Sequence, residues 1–128
     1  MQIEGVHHAA IICSDIHVSK AFYSDVLGLK IIAETYREVR DSWKVDFALS
    51  DGSQIELFSM PNAPTRPSYP EAQGLRHLAL KVLDVAQAKH DLEEQGVAVE
   101  PIRIDALTGK AFTFFADPDG LPLELYQI

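Results

Sequence analysis

Two decapeptides decide how this chain is read: DGSQIELFSM at 51–60 and DGLPLELYQI at 119–128. Asp51-Gly52 aligns with Asp119-Gly120, and Ile55-Glu56-Leu57-Phe58 with Leu123-Glu124-Leu125-Tyr126, at an offset of 68 residues. Upstream, VHHAAIICSDI (6–16) superposes on LRHLALKVLDV (75–85) at an offset of 69. That match pairs His8 with His77, Ala10 with Ala79 and Asp15 with Asp84, and Gly28 and Gly96 follow at 68. The chain is therefore a duplication of a unit of roughly sixty residues.

Each copy predicts the order β-α-β-β-β. A strand (about 5–14, and 75–83) ends at an Asp placed to cap a helix. In the first helix Val18, Ala21, Phe22 and Val26 are expected to form the apolar face, and in the second Val85, Ala88 and Leu92. Gly28 and Gly96 close the two helices. Three strands follow in each copy, at about 30–37, 43–50 and 53–60, then at 97–104, 111–116 and 121–127. The Asp-Gly pairs mark hairpin turns between the last two strands of each copy. Between the copies, PNAPTRPSYPEAQG carries Pro61, Pro64, Pro67 and Pro70 and reads as an extended linker. The expected fold is α+β: tandem β-α-β-β-β modules forming a curved, cup-shaped mixed sheet with helices on its outer face. It makes one domain over 1–128, with module one at about 1–60, the linker at about 61–74 and module two at about 75–128.

Composition narrows the function classes. The net charge of −8 argues against nucleic acid, whose phosphates need a clustered basic surface. No apolar run reaches the length of a membrane span and no leader pattern opens the chain, so the expected setting is cytoplasmic and away from membranes. A single cysteine, Cys13, rules out an internal disulfide.

Strand alternation then sorts the polar residues. Ile55 and Leu57, like Leu121, Leu123 and Leu125, form apolar rows that belong under the helices. The opposite face carries His8, Glu56, His77 and Glu124, with small Ala10 and Ala79 beside the histidines and Phe58 and Tyr126 as an aromatic wall. One such histidine is most simply a satisfied structural residue. Two histidines and two glutamates at matched repeat positions point instead to a divalent-metal site. His7 lies at the strand end and is assigned no chemistry, and His17 and His90 sit on the helices as solvated residues. Arg37, Arg40 and Lys44 in YREVRDSWK are candidates to hold a small anion, although Glu38 and Asp41 in the same stretch suit a solvated segment.

Two imidazoles and two carboxylates suit one divalent ion per site, Zn²⁺, Ni²⁺ or Co²⁺ ahead of Mn²⁺ or Fe²⁺. The ion would offset the desolvation of buried glutamates and leave positions open to vicinal oxygens of a substrate. Lewis-acid polarisation of a carbonyl would then stabilise an enediolate, with Glu56 or Glu124 moving the proton. No Gly-rich phosphate loop or nucleophile elbow is present.

The motifs HHAAIICSD, AFYSDVLGLK, IELF, LRHLAL and DPDGLPLELY resemble the glyoxalase/bleomycin-resistance/dioxygenase superfamily, the vicinal oxygen chelate fold, over essentially the whole chain. YREVRDSWK and FTFFADPDGLPLELY are similar to its glyoxalase I-like, YaeR-like group of small bacterial proteins. The resemblance implies metal ligands at His8, Glu56, His77 and Glu124, the same four. It implies a lyase of the lactoylglutathione lyase type, acting on the hemithioacetal of an α-ketoaldehyde and a thiol. Its alternatives are acyl-CoA epimerase-type proton transfer, or a non-catalytic small-molecule-binding protein. It also implies a homodimer, with the modules of a cup joined within one chain or across two.

Overall fold

A computed structural model describes all residues, Met1–Ile128. Two compact units divide it, Met1–Pro64 and Thr65–Ile128. The Pro-rich stretch is thus split, and its second part belongs with the second unit. Arg66 fixes it there, donating to the carbonyls of Leu75 (2.7 Å) and Arg76 (2.9 Å).

The first unit contains β1 (His8–Cys13), α1 (Ile16–Ala21) continued by a π-helical turn over Phe22–Val26, β2 (Lys30–Arg37), a 3-10 turn at Glu38–Arg40, β3 (Ser42–Ala48) and β4 (Gln54–Ser59). The second contains β5 (Leu78–Val82), α2 (Val85–Glu94), β6 (Arg103–Ile104), β7 (Ala111–Ala116) and β8 (Pro122–Gln127). Each builds one four-stranded mixed sheet, ordered β1-β4-β3-β2 and β5-β8-β7-β6, with its first and last strands parallel. The α+β class and the repeated β-α-β-β-β order are therefore as the sequence predicts.

Both helices begin as read. The Asp15 carboxylate accepts from the backbone N–H of His17 (2.9 Å) and Val18 (3.2 Å), and that of Asp84 accepts from Gln87 (3.0 Å). The hairpin turns are also repeated. Leu49 N–H donates to Ser53 and Gly52 N–H to Leu49, and Asp117 N–H donates to Leu121 and Gly120 N–H to Asp117. Gly52 (φ 90°) and Gly120 (φ 80°) supply the left-handed residue that this turn requires.

Two local expectations change. The buried stripe of the first helix is Ile16, Ser19 and Tyr23, whereas Val18 is half exposed. The repeat explains this, because those three residues align with Val85, Ala88 and Leu92 of α2 at the 69-residue offset. Second, the strand expected over 97–104 survives only as Arg103–Ile104. Pro101 has no N–H to give a ladder there. The segment is held instead through Glu100, whose N–H donates to Phe114 and whose carbonyl accepts from the buried Thr113 hydroxyl (2.7 Å).

Each core is the apolar face of its sheet under its own helix. Ile11, Val45, Phe47, Ile55 and Leu57 are buried in the first unit, with the Tyr23 ring 5.9 Å from that of Phe47. Val85, Leu92, Phe115, Leu123 and Leu125 are buried in the second. This leaves the other face of each sheet to carry polar groups.

Candidate metal centre

β1 lies parallel to β4 with Ala10 opposite Glu56, which brings His8 and Glu56 onto the helix-free face. Their side chains meet, His8 Nε2 standing 3.3 Å from Glu56 Oε2. The second unit repeats the arrangement. Ala79 is opposite Glu124, and His77 Nε2 stands 3.0 Å from Glu124 Oε2. All four predicted ligands thus form two imidazole–carboxylate pairs, one in each unit, and the small alanine between them on each first strand leaves room for the approach. Within either unit no third His, Cys, Asp or Glu completes a metal-binding group.

The pairs differ in what surrounds them. In the first unit Asp46 stands opposite Glu56 in the β3–β4 ladder, and the Lys44 ammonium reaches Glu56 Oε1 (3.1 Å) and Asp46 Oδ1 (3.2 Å). Hydrogen bonds donated to Glu56 and then to Asp46 hold the Lys44 pKa above its ordinary value. In the second unit the same positions, 68 residues on, are Phe112 and Phe114. The Phe114 ring meets the His77 ring edge-on, centroids 5.0 Å apart. Glu124, only 8% exposed, has no Lys or Arg partner.

Of the other pocket candidates, Phe58 carries the Arg37 guanidinium 4.6 Å from its centroid, and Arg37 Nη2 also donates to Ser42 Oγ (2.9 Å). Tyr126 stacks on Phe112 and donates to Asp105 (2.9 Å), with Thr108 Oγ1 also at its hydroxyl. Arg40 is exposed on the 3-10 turn and joins none of these side chains. Lys44 is a partner of two carboxylates and not a free anion holder. Asp46 and Phe114 were not singled out in the sequence, although both follow from reading β3 and β7 against the strands beside them. His7, assigned no chemistry, places Nδ1 2.9 Å from His8 Nδ1, so it orients the candidate ligand.

The residues fit a divalent ion. A buried carboxylate beside an imidazole, with no cation near it, is costly unless a positive charge is supplied. His77 Nδ1 is buried without a hydrogen-bond partner, and its Nε2 faces the carboxylate. Imidazole nitrogen with carboxylate oxygen is a borderline-to-hard donor set.

Comparisons with known proteins agree with the fold. The family model for the Glyoxalase/Bleomycin resistance protein/Dioxygenase superfamily matches residues 5–125. YaeR from Escherichia coli is 58% identical over 125 residues, covering 98% of this chain and 97% of YaeR. The crystal structure of a glyoxalase family protein from Enterococcus faecalis superposes with a TM-score of 0.91 at 45% identity, covering 99% of this chain and all of that one. A 2-epi-5-epi-valiolone epimerase from Actinomyces sp is 28% identical over 144 residues, covering 96% of this chain and 79% of the epimerase.

Proposed function

We propose, from the premise that this chain belongs to the glyoxalase/bleomycin resistance protein/dioxygenase superfamily, that it is a divalent-metal-dependent lyase or isomerase of the glyoxalase I type. Its substrate would be a small vicinal-oxygen compound such as the hemithioacetal of an α-ketoaldehyde and a thiol. The observation that carries the reading is the repeated imidazole–carboxylate pair, His8 with Glu56 and His77 with Glu124. These four side chains are the proposed protein ligands. When bound, the ion supplies Lewis-acid polarisation of a substrate carbonyl.

The chain's own groups then divide the work. Glu56 is restrained on both oxygens, by His8 on one and Lys44 on the other. Its role is to hold. Glu124 has His77 on one oxygen and no cation on either, so its carboxylate is the one free to leave its place and accept a proton. It removes the proton next to the polarised carbonyl and returns it to the adjacent carbon, passing through an enediolate of the substrate.

The epimerase among the relatives favours a second reading, in which the proton returns to the carbon it left and no rearrangement follows. A homodimer in the cytoplasm accompanies the proposal, and no helix is long and apolar enough to cross a membrane.

Metal analysis of the purified and the reconstituted protein tests the metal centre. Bound divalent metal in the unaltered chain, lost in Glu56→Ala and His77→Ala, is the expected result. Absence of metal from both native and reconstituted preparations would overturn it. Substrates prepared in D₂O separate the readings: deuterium uptake with formation of the rearranged thioester indicates the isomerase, and uptake without rearrangement indicates the epimerase. A ligand that binds and is released unchanged, with no exchange, indicates a binding protein.

A further inference from the structure

The second unit contains a cavity of about 580 Å³, within the size range of small-molecule sites. His77 and Phe114 line it, so it adjoins the proposed reaction centre. Its lining sets three arginines against two carboxylates, Glu71 and Glu100. The chain carries a net charge of −8 and has only five arginines, yet Arg66, Arg76 and Arg103 all line this one cavity.

The three are not equivalent. Arg66 is occupied by the carbonyls of Leu75 and Arg76 and by Ser68 Oγ (3.0 Å). Arg76 is paired with Glu71 at 3.2 Å. Arg103 has only Glu100, at 4.0 Å, which is the limit of an ion pair and too long for a hydrogen bond. Its guanidinium lies instead over two rings, 5.0 Å from the Phe112 centroid and 5.5 Å from that of Phe114. Cation–π contacts of this kind hold the guanidinium beside the rings while leaving its N–H donors unspent. Phe114, in contact with both Arg103 and His77 and opposite Glu124 in the ladder, fixes the spacing between that fork and the reacting pair.

We propose that Arg103 receives an oxyanion of the substrate, a carboxylate or a phosphate, and so selects anionic over neutral vicinal-oxygen compounds. The planar fork matches such a group through two parallel N–H donors. The inference rests on the proposed reaction for its meaning as substrate selection. The anion site itself is read from the cavity and needs no metal.

The test uses the full chain stripped of metal with a chelator, with ring-proton NMR signals of Phe112, Phe114 and His77 followed during titration. The probes are glycolate, inorganic phosphate and uncharged ethylene glycol. Saturable shifts with glycolate or phosphate, weakening as salt is added and absent with ethylene glycol, are expected. A stronger response to glycolate identifies the group as a carboxylate, and a stronger response to phosphate identifies a phosphoryl group. Arg103→Gln is expected to weaken anion binding by about tenfold or more, the loss typical of one charge-assisted contact. Arg103→Lys, which keeps the charge and guards against a folding defect, should fall between. Unchanged anion affinity in a folded Arg103→Gln, or shifts of equal size with ethylene glycol, would overturn the proposal. Anion binding by a chain that never takes up metal would leave this site standing while the metal reading falls, and the converse result would do the reverse.

Discussion

Asp46 and Glu56 face each other across the β3–β4 ladder, two carboxylates in neighbouring strands joined by one ammonium group, that of Lys44. Like charges directly opposite in a sheet repel. Lys44 is what makes the pair tolerable, and its raised pKa records the same interaction, with Glu56 the larger contributor. Lys44→Met is therefore expected to lower the stability of the metal-free protein at pH 7 by about 1–2 kcal/mol, between the values for exposed and buried pairs. Because the folded pKa is raised, the contribution of Lys44 is complete below the ordinary lysine pKa of about 10.4 and disappears as pH rises through the folded value. Urea denaturation of both proteins from pH 7 into alkali should show two curves that converge.

Asp105 titrates in the opposite sense. Its pKa is lowered, first by the Leu107 N–H and then by the Tyr126 hydroxyl. Its stabilising contribution is present above the ordinary Asp pKa of about 3.9 and is lost as pH falls through the lower folded value. Asp105→Asn should be less stable than the unaltered chain at neutral pH and equal to it in strong acid, as acid titration monitored by circular dichroism would show.

Ser19 is buried, and its hydroxyl has no hydrogen-bond partner. Its counterpart in the second unit is Ala88. Ser19→Ala removes an unsatisfied group and improves helix propensity, so it should stabilise the protein by about 1 kcal/mol, measured as a rise in the urea midpoint at unchanged slope.

Ile55 and Leu123 occupy equivalent places and are 1% and 0% exposed. Truncation of either to Ala is expected to cost about 2–5 kcal/mol. If each unit has its own core, hydrogen exchange should rise chiefly in β1–β4 for Ile55→Ala and chiefly in β5–β8 for Leu123→Ala.

Glu56→Gln and Glu124→Gln separate holding from proton transfer. Both are expected to weaken metal retention, but Glu124→Gln should also reduce substrate deuterium exchange by about 100-fold or more at saturating metal, the scale of a lost general base. Equal residual exchange in the two variants would contradict the division of roles.

The duplication made most of this arrangement legible. An offset of 68 or 69 residues located both His–Glu pairs, and the two-residue period of a strand put them opposite the leucines. What stayed hidden depends on cross-strand neighbours. Asp46 and Phe114 acquire their meaning only when β3 and β7 are set in register against β4 and β8. Arg103 opens the two residues of the expected strand that survive beyond Pro101, and no periodicity shows that its guanidinium lies over two rings. On the first helix polar Ser19 is buried and apolar Val18 is half exposed, a reversal visible only through the aligned Ala88.

The exchange of Lys44 and Asp46 for Phe112 and Phe114 at matched positions has a consequence for how such a protein can change. Of two matched His–Glu pairs, one carries its own counter-charge and the other lies beside an aromatic ring. A duplicated fold can thus give two matched pairs different surroundings. Changes around the second pair would then leave the ammonium contact of the first untouched.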